Sequence, residues 1–357
     1  MVLKSPTQKI DLNLLGVTLS LKSEVEGFVN FIHSFIGMLV NKNENFFHDI
    51  AVYLRPKKEF PIDINYKQIS RNLWLGDNSI ILSGVDRAPG LSLKVSIDEN
   101  RLYIDAFLEE KKINSFLKLM TIRRAHKKKR LLKFILLTYY LVYIPCFYYL
   151  ERFRNLYLLP ASAVKYKQKG IIFSGLGGVG KSTFALQSLF LDGCKLLSDN
   201  LIFHDTRKIF SLPGPIALDS NSYNILKTIQ KHLTPVINIP THHNRMYYTI
   251  KPNLFADNAV PKYIFWLQIG DSNKIKSLNK SIFTRHLLNM NLLTNHIREY
   301  FVFAAASDLV FQKHLSQSDY SDYFSSFLAN LDCFALTFKP TIDINTIFEN
   351  TINQVVT

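Results

Sequence analysis

Cysteine is scarce in this chain. Three residues, Cys146, Cys194 and Cys333, stand far apart in 357 positions and without metal-ligand spacing. Three thiols cannot all pair within one chain, so a disulfide framework and a cysteine-built metal site are excluded, and buried thiols of a reducing compartment are expected. Acidic residues are also in deficit, 28 against 43 Lys and Arg, for a formal charge of +15. The N-terminal stretch MVLKSPTQKIDLNLLGV has too short an apolar run and no cleavage-like small residues for a secretory signal, so a cytoplasmic location is expected. No fixed-period repeat and no low-complexity tract occurs. Hydrophobic residues make up 47% and aromatics 13%, enough to bury sizeable cores, and the length calls for two domains.

The excess charge is concentrated. Residues 111–154 hold 12 Lys or Arg against one acid, Glu151. RRAHKKKR (123–130) runs into the aromatic and apolar LLKFILLTYYLVYIPCFYYL (131–150). A single membrane span is nearly long enough here, but it contains Lys133 and Pro145. With positive charge inside, it would also put everything after 151 outside, including GLGGVGKS (175–182), a glycine-rich pattern that suits the phosphates of a cytoplasmic triphosphate. That leaves a peripheral contact with anionic lipid through 111–150, or a core helix with a basic, solvated start. The core helix is the expectation, as two helices meeting near Pro145. A nucleic-acid patch is not expected, since no zinc-finger, RNP-like or heptad pattern accompanies the charge.

Three regions follow. Residues 1–110 show alternating runs, NSIILSGV, LSLKVSID and RLYIDAFL, broken by DRAPG and DEN, and predict a small α+β unit. Residues 111–155 form a basic and aromatic helical connector. From 156 to 357 strands and helices alternate, which predicts an α/β domain.

The strongest motif is SGLGGVGKSTFAL. Gly175, four residues, then Gly180-Lys181-Ser182 complete G-x-x-x-x-G-K-[ST], after the apolar strand GIIFS and before a helix predicted over 181–193. Gly175, Gly177, Gly178 and Gly180 let the backbone turn its N–H groups onto phosphate oxygens, and Leu176, Val179 and Thr183 complete the loop. The helix start adds partial positive charge. Lys181 would reach the outer phosphates and Ser182 would offer its hydroxyl to Mg2+. Neither an L-S-G-G-Q signature nor a guanine-reading N-K-x-D is present; NKSI (279–282) has Ile where the aspartate belongs. Asp199 ends a short apolar strand 18 residues after Lys181, where a carboxylate can hold Mg2+ or accept a hydroxyl proton.

In their order, LLPASAV, this loop, LLSDN and PGPIAL resemble the HPr kinase-like proteins of the phosphoenolpyruvate-carboxykinase-type fold. In that family an H-A-S-A-V strand precedes the loop, L-L-S-D-D follows the helix and P-x-P-x-x-I-x-L comes later. Ala161-Ser162-Ala163-Val164, Ser198-Asp199 and Pro213 to Leu218 match in turn. The resemblance implies an α/β, P-loop-containing HPr kinase-like domain behind a smaller α+β domain. It implies an ATP- and Mg2+-dependent kinase that phosphorylates a hydroxyl, of serine above all, on a peptide, protein or small molecule. Asp199 and Lys181 would be catalytic; Ser182, Asp199 and Asn200 would face the metal. Asn200 replaces the second aspartate, offering an oxygen without charge. Pro160 replaces the histidine, and no G-E-R-G loop is found, so HPr itself is not the expected substrate. The acceptor partner could be acidic, and self-association stays open. The alternative is a non-catalytic nucleotide-binding regulator or membrane-surface scaffold; a hydrolysing NTPase is a third.

Lesser candidates are Arg245 and Lys251, which could stabilise the transferring phosphoryl group, though exposed strand residues are the plainer account. His242 and His243 are adjacent and would face opposite ways on a strand, a poor metal pair. His204 and Asp205 fit a strand-end turn, and Trp266 in YIFWLQIG reads as core.

Overall fold

The computed structural model describes residues 7–41, 47–56, 65–85, 87–88, 90–109, 122–237, 245–311, 317–339, 346–347 and 349–351. The fold is mixed α/β with several sheets, and the chain divides into two compact units. One comprises Met1–Arg154, Ile239–Thr241 and Tyr300–His314; the other comprises Asn155–Asn238, His242–Glu299 and Leu315–Thr357.

The first unit is built on an eight-stranded sheet. Its strands are β1 (Gln8–Leu14), β2 (Val17–Ser23), β3 (Ile50–Pro56), β4 (Lys67–Ser70), β5 (Leu73–Leu75), β6 (Ser79–Ser83), β7 (Leu91–Asp98) and β8 (Arg101–Leu108), in the order β1-β2-β3-β8-β7-β6-β5-β4. Alternation selects the buried face: Val52, Val95 and Ile104 align across three strands and are all buried. Helix α1 (Phe28–Ile36) buries Phe28, Ile32 and Phe35, a 3.6-residue stripe.

Helices α2 (Ile122–Thr138) and α3 (Ile144–Arg154) are joined by a π-helical turn over Tyr139–Tyr143, so the rod does not break. The expectation of two helices meeting near Pro145 is corrected to this extent. Pro145 has no N–H to give the preceding turn, and widening that turn lets the helix continue through it. Lys128–Arg154 is long and apolar enough to cross a membrane by length and composition. Within the first unit, however, Phe134, Leu137, Leu141, Ile144, Phe147 and Leu150 are all buried. Phe134 packs its ring against Phe28 and Phe31, at 5.3 and 5.5 Å between centroids.

Two charges near the end of this rod, on Glu151 and Arg152, are buried as well. Arg152 donates from Nε and Nη2 to the two carboxylate oxygens of Asp308, at 3.1 and 2.7 Å, and Tyr148 donates to Asp308 Oδ1 at 3.0 Å. Glu151 accepts from Arg152 Nη1 at 3.2 Å and from the Tyr300 hydroxyl. A bidentate pair with further hydrogen bonds is the arrangement that makes buried charge tolerable.

The second unit follows the helix. It contains β9 (Tyr157–Leu159), β10 (Ser162–Tyr166), β11 (Lys169–Ser174), α4 (Lys181–Gln187), β12 (Lys195–Ser198), β13 (Ile202–His204), β14 (Ile209–Phe210), β15 (Ile216–Leu218), α5 (Ser220–Ile225), β16 (Leu233–Ile237), β17 (Met246–Ile250), β18 (Asn258–Ile269), β19 (Lys274–Ser277), α6 (Lys280–Leu293), α7 (Gln317–Leu328) and β20 (Asp332–Phe338). The long β18 runs parallel to β11 and β20 and pairs antiparallel with β14. Alternate residues feed opposite faces. Ile171, Phe173 and Phe265 join Phe184 and Leu186 of α4 in one core; Ile172, Leu197 and Ile264 join Phe283 and Leu287 of α6 and Phe324 and Phe327 of α7 in the other. Trp266 lies in the second core, edge-on to Phe283 and stacked on His286 at 4.5 Å. All three cysteines are free and buried; burial pushes the thiols of Cys194 and Cys333 up to about 12 and 11.

Candidate active site

The loop between β11 and α4 leaves the sheet where β11 lies parallel to β18, with Ser174 in register with Trp266. Such a position, beyond the carboxyl end of a parallel strand, is where α/β sheets bind ligands. Gly175 turns there at φ +142°, and a Cβ on it would stand 2.9 Å from the Leu267 carbonyl oxygen and 3.1 Å from Val179 Cγ1. Only glycine fits a backbone that close to a strand. Gly178, at φ +82°, and Gly180, at φ +99°, are also left-handed, and Gly180 starts the helix. Between them Leu176, Gly177 and Gly178 are exposed, while Val179 and Thr183 are buried.

Lys181 curls back over this loop. Its Nζ donates to the carbonyls of Gly175 at 2.8 Å and Leu176 at 3.0 Å. Burial lowers its pKa, and the nearby Asp199 carboxylate opposes that shift. The helix itself is shorter than the expected 181–193: α4 ends at Gln187 and a 3-10 turn, Ser188–Phe190, follows. Ser188 Oγ donates to the carbonyls of Phe184 and Ala185, at 3.0 and 2.7 Å, competing for the acceptors that would continue the α-helix.

Asp199 stands at a break between strands. β12 pairs with β10, whereas β13 pairs with β9 and β14, so CKLLSDNLIFHD is two strands that separate at Asp199-Asn200-Leu201. Asn200 occupies the left-handed region at φ +72°, a conformation asparagine tolerates better than most residues. Two hydroxyls pin the break: Ser198 Oγ donates to the Leu212 carbonyl at 3.1 Å and Ser211 Oγ to the Leu197 carbonyl at 2.5 Å. They tie the start of the SLPGPIAL stretch to β12.

Two donors converge on the Asp199 carboxylate: Ser162 Oγ donates to Oδ1 at 3.0 Å and Asn200 Nδ2 donates to Oδ2 at 2.9 Å. The Ser182 hydroxyl lies near enough to favour its ionised form. Ser162 Oγ also accepts the Asn200 backbone N–H at 3.3 Å. Burial raises the Asp199 pKa; the Ser182 and Ser162 hydroxyls and the Lys181 charge pull against it. Lys181, Ser182, Asp199 and Asn200 therefore come together. Ser162 was overlooked as a site residue: it was legible as part of the A-S-A-V motif, but its partner lies 37 positions on.

The donor set fits a hard cation of the Mg2+ kind. The Ser182 hydroxyl and the nearby Asp199 carboxylate would supply two oxygen ligands, and such a cation takes the rest from water and phosphate. Among the described residues, no group of three or more His, Cys, Asp or Glu could hold a metal alone.

The lesser candidates are scattered. Arg245 is exposed just before β17, where its charge helps lower the pKa of Asp219, mainly depressed by the Ser222 backbone N–H that it caps. Lys251 is exposed just after the same strand. His242 and His243 lie outside the described residues. His204 is buried among Tyr157, Phe324 and Phe327, its Nδ1 on the Asp205 carbonyl; burial lowers its pKa to about 4. Pro160 is buried where the ladder of β9 gives way to that of β10.

No protein-family model matches the chain, and no curated protein sequence matches it. Among solved structures it is similar to the HPr(Ser) kinase/phosphatase from Coxiella burnetii, with 8% identity and a TM-score of 0.26, over 56% of this chain and 99% of that one. At that score the chemistry of the site rests on its own atoms.

Proposed function

We propose that the chain is an ATP-dependent phosphotransferase that moves the γ-phosphoryl group to a hydroxyl acceptor. The observation that carries the reading is the place of the Asp199 carboxylate: Ser162 and Asn200 hold it where the phosphate loop's Lys181 and Ser182 act on its charge. A phosphate loop alone suits any nucleotide-holding protein. A carboxylate raised in pKa by burial, beside that loop, adds a group able to take a proton.

In this reading the loop from Gly175 to Thr183 cradles the phosphates, and Lys181 exchanges a loop carbonyl for a phosphate oxygen. Ser182 and Asp199 hold Mg2+, which when bound neutralises charge on the phosphates. Asp199 accepts the proton of the acceptor hydroxyl as its oxygen bonds to phosphorus and the bond to ADP breaks. Positioning and charge neutralisation do most of the remaining work.

A second reading, a nucleotide-holding regulator, is favoured by one feature: Asn200 places an amide and not a second carboxylate against Asp199. Incubation of the purified chain with labelled ATP, Mg2+ and serine-containing peptides, followed by intact-mass analysis, separates the two. An added phosphoryl mass on a peptide, lost in Asp199→Asn, supports the kinase. ATP binding with no transfer to any hydroxyl supports the regulator.

A further inference from the structure

Asp199 is held more firmly than a metal ligand or a proton acceptor alone requires. A carboxylate at a strand break would ordinarily turn about its side-chain bonds, yet both of its oxygens are engaged, Oδ1 by a hydroxyl buried in the sheet and Oδ2 by the exposed amide of the next residue. Ser162 is completely buried on β10, which is paired on both sides by β11 and β12. Its hydroxyl has two roles at once, donating to Asp199 Oδ1 and accepting the Asn200 N–H. That second bond secures the left-handed turn at Asn200, and the turn in turn brings the Asn200 amide onto Asp199 Oδ2. The ring closes: strand, hydroxyl, turn, amide and carboxylate. An ionised carboxylate only accepts, so it is the amide nitrogen that faces it, and the oxygen that could serve a cation is on the other branch of the amide.

We propose that Ser162 and Asn200 are positioning residues that clamp the Asp199 carboxylate in a fixed orientation beside Lys181 and Ser182, and that Asn200 belongs to this clamp and is not a cation ligand. The inference rests on the phosphotransfer reading of the same site. It gives Asn200 a task that a second carboxylate could not perform, because an aspartate there would set like charge against Asp199. The groups facing Asp199 are Ser162 from β10, Lys181 and Ser182 from α4, and Asn200; Lys181 is the charged one, and it is unchanged in the variants below.

The test uses the full chain carrying carbon-13 in its Asp carboxyl carbons, with Asp199→Asn identifying the Asp199 resonance. Asn200→Gly removes the amide at an exposed position whose backbone glycine accepts readily, and Ser162→Ala removes the hydroxyl. Each deletes a donor that fixes the carboxylate, so relaxation of the Asp199 carboxyl carbon reports a more mobile group in both variants. In Asn200→Gly, Mg2+ binding in the presence of ADP, followed by calorimetry, stays at the parent value. Should Ser162→Ala fail to fold, Asn200→Gly decides alone. Relaxation unchanged from the parent overturns the clamp; loss of Mg2+ affinity in Asn200→Gly overturns its second half and makes Asn200 a ligand. The relaxation measurement needs no turnover. A parent chain that binds no nucleotide thus refutes the phosphotransferase while the clamp is still judged on its own.

Discussion

Replacing Gly175 by alanine tests whether the loop is built as described. Two costs can be worked out from the structure. Gly175 sits at φ +142°, where side chains other than glycine carry about 1–3 kcal/mol of strain. The new methyl would also meet the Leu267 carbonyl oxygen at 2.9 Å. That oxygen belongs to β18, which is held by strands including β11 and β20, so the loop and not the strand must yield; overpacking of this kind costs about 1–3 kcal/mol. Together they predict a loss of about 2–6 kcal/mol from the second unit. Gly177→Ala is the control: it has ordinary φ and nothing within 4 Å of the added Cβ, so it should change stability by less than about 0.5 kcal/mol. The chain has two tryptophans, Trp74 and Trp266. In a Trp74→Phe background Trp266, next to the loop in register, reports urea unfolding of the second unit alone. Calorimetry then asks whether ATP-Mg binding weakens with it. A Gly175→Ala protein as stable as its parent, and binding nucleotide as well, refutes the loop geometry.

Three further outcomes follow from the same contacts. Lys181→Ala should leave the fold intact and weaken ATP-Mg binding about tenfold to a hundredfold, read by calorimetry, because it removes a charged donor from the phosphates; equal binding would remove the nucleotide site from this loop. His204 should make the second unit acid-sensitive: the unfolded chain takes up a proton below about 6.5 and the folded one only near about 4, so stability is full above the higher value and falls towards the lower, by about 3 kcal/mol in all. Urea titrations of His204→Phe between those pH values should show that slope flattened, and an unchanged slope would mean other groups cause it. In the first unit, Leu141→Asn should destabilise by about 2–5 kcal/mol in thermal unfolding, whereas glutamine at Arg123, Arg124, Lys127, Lys128, Lys129 and Arg130 should cost about 1 kcal/mol, from the Arg130 bond to the Glu26 carbonyl, and leave partitioning onto anionic vesicles unaltered; salt-sensitive vesicle binding lost in the glutamine variant would instead favour a lipid contact.

The parts of the fold that sequence made legible are those whose causes are local. Glycine spacing between an apolar strand and an amphipathic start is a short-range signal, and the strand, loop and start of the helix stand where it put them. NSIILSGV, LSLKVSID and RLYIDAFL likewise contain β6, β7 and β8, since period-two alternation needs no knowledge of the partner strand. The early end of α4 had a local cause too, a serine at 188 able to reach back to two carbonyls, but such a residue is as common on an exposed helix face. The charge of residues 111–154 misleads in a different way. Counting it treats Arg152 as part of a basic surface, yet its guanidinium is buried against Asp308, 156 positions away. No window of sequence contains both.

The candidate site divides along the same line. Lys181 and Ser182 follow from the motif because the loop carries its own geometry, and Asp199 followed from its distance to them. What makes Asp199 more than a turn residue is assembled from three strands. β10 brings Ser162, the end of β12 leads into Asp199, and the start of β13 requires the chain to change its partner strand at Asn200. In sequence Asn200 reads as a weakened copy of a metal ligand. In the fold its left-handed backbone, its N–H on Ser162 and its amide on Asp199 all depend on one another. Loss of one carboxylate from a pair is therefore poor evidence that a site has decayed: an amide supplies the one thing a second carboxylate cannot, a donor, and whether that matters depends on which neighbour it faces.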